Sequence, residues 1–237
     1  MDIINRQSKT SSFFSIAWVI AGPWQPDKGP FLDFQRALLD NGLEFAQTIT
    51  RPNGYQLRRD AAVSALNVTL ESPAAQVHSL QVVAPNPGYD LDLFCRDADA
   101  VASAYRTTWP HDQIQLLSST GKIHHLYSAS EHSFKYLWET RLNQSPDDFK
   151  RLGHRPVSGG GLRLVMPPHS IEGAEPVSIE VRIESFLREP NKLLIETAFT
   201  WPRPRTVAAD DRFDPAAYMQ QVEAFAANDV WEFIQIQ

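Results

Sequence analysis

Four histidines, His111, His124, His125 and His132, fall within 22 residues of a chain of 237, and Glu131 stands beside the last of them. Imidazole and carboxylate together are a ligand set that zinc accepts. A strand carrying His124, followed closely by a helix opening near Glu131, would bring His124 and His132 towards a shared ion. His124 and His125 are neighbours, so on a strand they point to opposite faces and cannot share a metal without a bulge. The spacing matches no zinc motif, and hydrogen-bonded or surface roles are the commoner fate of such histidines. Asp90 and Asp92 are a second metal candidate. Two acids at i and i+2 on one strand face stand about 6 to 7 Å apart at Cα, twice the rise per residue, a separation that bridges paired Mg²⁺ ions in phosphoryl transfer.

Asp90-Leu91-Asp92-Leu93-Phe94 looks a little like the acidic strand of nucleotidyltransferases. That family sets a Gly-Ser pair ahead of the strand to hold the triphosphate, and Asn86-Pro87-Gly88 supplies none. The likeness covers a handful of residues and implies no membership. Gly159-Gly160-Gly161 precedes a strand and lacks the Lys-Ser/Thr of a phosphate-binding loop, so a turn is the better account. No Gly-x-Ser-x-Gly elbow is present. Cys95, the single cysteine, lies among acids that disfavour a thiolate and reads as a packed thiol. For binding, Trp24 in a Pro-rich stretch and Trp201, Arg203 and Arg205 near Trp-Pro-Arg-Pro-Arg are the residue types that dominate interfaces.

These residues must be held by elements that the patterning predicts. The clearest is a hairpin. Val177, Ile179, Val181 and Ile183 alternate with Ser178, Glu180, Arg182 and Glu184, and beyond Glu189-Pro190-Asn191 the alternation resumes through Leu193, Ile195, Phe199 and Trp201. Phe13–Ala21 is apolar on both faces and predicts a central strand. A helix from Pro30 to the Asn41-Gly42 stop follows, then a hairpin across Arg51-Pro52-Asn53-Gly54. Val63–Leu70 and Val77–Val83 read as further strands, broken at Glu71-Ser72-Pro73. Tyr89, Leu91 and Leu93 alternate with Asp90 and Asp92 and read as a strand, with Asp97 capping a helix that carries Ala98, Val101, Tyr105 and Trp109. Ser119-Thr120-Gly121 separates Ile114–Ser118 from Lys122–Tyr127 as a turn. Phe134, Leu137, Trp138 and Leu142 share a helix face, Ser145-Pro146 opens a shorter helix, and Asp214-Pro215 opens a closing helix with a bend at Asn228-Asp229.

About ten strands in hairpin order predict an α+β fold, a largely antiparallel sheet with helices packed on one face. The order strand, helix, hairpin occurs twice, which allows two ferredoxin-like β-α-β-β sub-lobes, 1–84 and 85–237, within one compact unit spanning 1–237. The net charge of −6 argues against nucleic acid as a partner. No stretch reaches the ~20 apolar residues of a membrane span, and the short apolar run near the N-terminus reads as a buried strand instead of a signal peptide. A cytoplasmic protein is expected, with no cofactor, and with a protein partner or a second copy of itself. The functional expectation is a non-catalytic protein- or ligand-binding module. The alternative is a metal-dependent enzyme acting on a phosphate-containing small molecule through Asp90 and Asp92.

Overall fold

Phe14, Ile16, Trp18 and Ile20 are at most 1% exposed, and the strand that carries them is the spine of the molecule. The computed structural model describes residues 4–59, 64–169, 175–202, 204–208 and 211–235. The chain runs β1 (Ile4–Ala21), α1 (Lys28–Asp40), β2 (Gln47–Arg51), β3 (Gly54–Arg59), β4 (Leu66–Ala74), β5 (Val77–Pro85), α2 (Leu91–Thr108) and β6 (Gln113–Ala129). An excursion follows, made of α3 (Ser133–Lys135), a π-helical turn at Tyr136–Arg141 and a 3₁₀ turn at Pro146–Arg151. Then come β7 (Gly161–His169), β8 (Val177–Ser185), β9 (Lys192–Trp201), β10 (Arg205–Ala208), α4 (Pro215–Ala227) and α5 (Asp229–Ile234).

All ten described strands join one antiparallel sheet in the order β2-β3-β4-β5-β1-β6-β9-β8-β7, with β10 pairing β6. Each half is a long strand followed by a meander whose last strand returns beside it: β5 pairs β1, and β9 pairs β6. The halves meet where β1 pairs β6, Phe14 opposite Ile123 and Ile16 opposite Gly121. This arrangement is α+β as expected, and its strand order does not confirm ferredoxin-like sub-lobes.

Period-two alternation decides the faces. On one face Leu57, Val68, Val82 and Ile16 join a core covered by Phe31, Phe34 and Leu38 of α1, Phe94, Val101 and Tyr105 of α2, and Met219 and Val222 of α4. A second cluster under the far end of the sheet gathers Ile183, Leu193 and Ile195 with Tyr127, Tyr136, Leu137, Trp231 and Ile234. The opposite face is polar: Gln81, Ala17, Thr120, Thr200 and Ser178 run across it in register. Beside them Glu180 bridges Arg163 and Arg182, both at 2.8 Å, and Glu196 takes Lys122 and His124, both at 3.0 Å. These contacts, His124 first and then Lys122, hold the Glu196 carboxyl down at about 2 against the desolvation that opposes them.

Three expectations are corrected. Residues 89–93 do not form a strand: Asp90 caps α2, its carboxylate accepting Leu93 N–H at 2.9 Å, and Asp97 lies inside the helix, paired with Arg59 at 2.6 Å. A short apolar alternation cannot distinguish strand from helix, and the cap decides it. Ser119-Thr120-Gly121 is not a turn but the middle of β6, between β1 and β9. Gly121 is there because α4 packs directly on it; a Cβ would lie 3.1 Å from Val222 Cγ2 and 3.2 Å from Met219 Sδ. The third correction is the helix over Phe134–Leu142, which is one α turn passing into a π turn. Val63, where the fourth strand was expected to begin, lies outside the described residues. Among the described residues no helix is long and apolar enough to cross a membrane.

Candidate functional site

The residues singled out for metal binding are distributed over three places. His124 projects from the polar face of the sheet, 3.0 Å from Glu196 and stacked on Phe13 with centroids 4.5 Å apart. His125 points through the other face, as adjacency on a strand requires. It is 1% exposed, its Nε2 lies 2.7 Å from Glu223 Oε2 and its Nδ1 lies 3.3 Å from Ser11 Oγ. His132 stands at the start of α3, where its Nδ1 accepts Phe134 N–H at 3.3 Å. Asp90 caps α2 and Asp92 lies in its first turn, and residues two apart on a helix do not face one another. Among the described residues no three His, Cys, Asp or Glu side chains are grouped to hold a metal ion.

Ser11, His125 and Glu223 are connected in the order of an acyl-transfer triad. Glu223 also pairs with Lys9, so this cluster joins α4 to β1 and β6 across a β-bulge between Ser11 and Phe13. None of its members lines a hollow described below.

Asp92 borders a hollow of about 330 Å³ together with Cys95, Asp99, Asp214 and two arginines. Burial, aided by Asp92 and Asp214, pushes the Cys95 thiol up to about 12, so the thiol is inert at neutral pH.

The aromatic binding candidates are spent internally. Trp24 is 7% exposed and packs against His78 and Trp109, with centroids 6.1 and 6.0 Å away. Trp201 is buried edge-on against Tyr218 at 4.5 Å. Arg205 lies over that same tyrosine and donates to its hydroxyl at 3.1 Å. Arg203 lies outside the described residues.

A second and larger cavity lies in the excursion between β6 and β7. Ser133 Oγ donates to the carbonyls of Pro190 and Lys192, both at 2.9 Å, and fixes α3 to the β8–β9 turn. Tyr136 and Leu137 then turn inward to the second core cluster. The backbone widens into a π turn, Leu142 N–H reaching Leu137 O at 3.0 Å, a local geometry frequent at functional sites. Trp138 is left facing outward, with its indole N–H satisfied by Ser145 O at 3.1 Å. Ser145 in turn caps the 3₁₀ turn by accepting Asp147 N–H at 3.2 Å, and this turn delivers Phe149.

Phe134, Trp138 and Phe149 make a closed triangle of rings. The centroids are 6.2 Å apart for Phe134 and Trp138, 5.6 Å for Phe134 and Phe149, and 4.6 Å for Trp138 and Phe149. Gly153 and His154, both at positive φ, reverse the chain and carry Arg155 to the rim. Gly160 closes over the back of the triangle, where a Cβ would lie 2.9 Å from Phe134 Cε2. The resulting open cavity has a volume of about 640 Å³. Its rim carries Lys135, Lys150, Arg155, His132 and His154 against one acid, Glu139.

The pattern puts Phe134 and Trp138 on one apolar helix face; Phe134 is buried as that face predicts, and Trp138 is only partly so. The overlooked signal was Phe149 among Lys150, Arg151, His154 and Arg155: a lone large ring in a polar, basic segment has no helix face of its own to bury it. The chain matches no protein-family model, and no curated protein matches it as a relative.

Proposed function

We propose that the protein is a non-catalytic binding module whose ligand occupies the cavity of the β6–β7 excursion. One observation carries this reading: a three-ring aromatic floor fixed from behind by Gly160 and Ser133 but open in front, beneath a rim of cations. Concave sites of about 300 to 1,000 Å³ with an apolar floor and a few convergent polar groups are the usual form of a small-ligand site. The metal-dependent alternative has less support, because Asp90 is committed to the α2 cap and Asp92 is turned away from it.

A fragment library screened by thermal shift on the intact chain tests the reading. Fragments that raise the melting temperature of the native protein are expected to lose that effect in Trp138→Leu. Stabilising fragments whose effect survives both Trp138→Leu and Phe149→Leu would locate binding elsewhere and sink the proposal.

A further inference from the structure

We infer that the cavity selects a planar aromatic molecule bearing an acidic group, a carboxylate or a phosphate. The inference rests on the binding reading above and adds the chemical class of the ligand. Its first support is the state of Trp138. The indole N–H is already taken by Ser145 O, so what the residue offers the cavity is a ring with no donor left to satisfy. Phe149 stands 4.6 Å from it at 35°, and Phe134 is held against both by the backbone at Gly160. The floor is therefore pre-formed, and a flat apolar ligand can stack without ordering side chains first.

The second support is charge. The cavity lining holds Lys135, Lys150 and Arg155 together with His132, His154 and one acid, Glu139. Two of those cations have acidic neighbours, Glu131 beside Lys135 at 3.6 Å and Asp147 beside Lys150 at 2.9 Å. Arg155 has no ion pair among the described residues, and its planar fork suits a carboxylate or phosphate bidentately. Arg155 is thus the cation on the rim that an anionic group can engage without displacing a carboxylate. Stacking floor and guanidinium rim together select for both parts of one molecule. The 640 Å³ volume admits a two-ring compound with its acid group and leaves no room for a folded partner domain.

The test is calorimetric titration of the intact chain with four probes: 2-naphthoate, 2-naphthyl phosphate, neutral 2-naphthamide and aliphatic hexanoate. Both anionic arenes are expected to bind at least about tenfold more tightly than either control, and less tightly as salt rises. The ratio between the two anions identifies which acid group the rim prefers. Arg155→Ala, at an exposed position, should lower affinity for the anionic arenes about tenfold and leave 2-naphthamide unchanged. Trp138→Leu, or Trp138→Phe should the leucine variant fail to fold, should weaken all three arenes. Equal binding of 2-naphthamide and 2-naphthoate, or no effect of Arg155→Ala, overturns the assigned class while Trp138-dependent binding stands. Absence of heat with all four probes overturns the class as well, and the fragment screen then decides separately whether the cavity binds anything.

Discussion

Two aromatic clusters of similar composition sit at opposite ends of this molecule, one sealed and one open. In the sealed cluster Trp24, Phe34, Tyr105 and Trp109 surround His78, with Trp109 5.5 Å from Phe34 and 5.3 Å from Tyr105. Two full helices, α1 and α2, lie over it, and His78 is 2% exposed. In the open cluster Phe134 is 9% exposed and Trp138 and Phe149 are only partly buried, and the rings rest on the helical stretches Ser133–Arg141 and Pro146–Arg151, both shorter than α1 or α2. The difference shows that aromatic content does not distinguish a sealed core from an open cavity. The length of the element carrying the rings decides whether they can be covered, because only an extended apolar stripe buries a whole face.

In the sealed cluster His78 has both ring nitrogens paired, while the Trp24 indole N–H is buried without a hydrogen-bond partner. His78 Nδ1 lies 3.2 Å from Gly22 O, a group that only accepts, so Nδ1 carries the proton. Nε2 is then the acceptor for the Tyr105 hydroxyl at 2.5 Å. The imidazole is thereby fixed in its neutral form, and burial lowers its pKa from 6.5.

The comparison breaks most decisively at Phe34, which is 0% exposed. Phe34→Ala should destabilise the fold by about 3 to 5 kcal/mol in a urea melt, through lost transfer energy and the cavity left behind. A loss of under about 1 kcal/mol would mean that the cluster is not sealed after all.

The next effect is a pH dependence. The folded state disfavours the protonated imidazole of His78, so the unfolded chain takes up the proton first as pH falls. Stability from this residue is complete above 6.5 and declines as pH drops below that value towards the lowered folded pKa. The melting temperature should fall across that interval more steeply for the native protein than for His78→Gln. Parallel curves would show that His78 is wet.

The smallest effect belongs to the open cluster. Phe149→Ala should change stability by about 1 kcal/mol or less, since the ring is only partly buried, while abolishing ligand-dependent stabilisation. A loss as large as that of Phe34→Ala would make the excursion part of the core and erase the distinction.

Much of the architecture was legible because it rests on periodicity. The alternations through Ile16, Ile183 and Ile195 each fixed a strand and a face, and Asp214 and Pro215 fixed the start of α4, where Asp214 accepts Ala217 N–H at 3.1 Å. What failed were residues whose local meaning depends on distant packing. Gly121 carries the local signature of a turn, and only the arrival of α4 shows it to be a contact glycine. Asp97 carries the local signature of a cap, yet Arg59, far away in sequence, claims it and Asp90 makes the cap. The candidate site was illegible for the same reason. Phe134, Trp138 and Phe149 form no periodic pattern together, and it takes the π turn and the reversal at Gly153 to make them neighbours.

The position of β1 and β6 has a consequence for how the chain reaches this state. Each is a long strand at the centre of the sheet, yet their mutual pairing joins residues as far apart as Phe14 and Ile123. Pairing across so long an intervening chain carries a closure penalty that hairpins such as β4–β5 do not, so local meanders form early and the central seam forms late. Until then Ile16 and Trp18 have no neighbour on one side. The seam is completed only when α4, which follows every strand, lays Met219 and Val222 over Gly121. During synthesis the apolar middle of β1 therefore waits for β6, which ends at Ala129, to pair its open side and for α4 to cover the seam, an interval of exposure to mispairing.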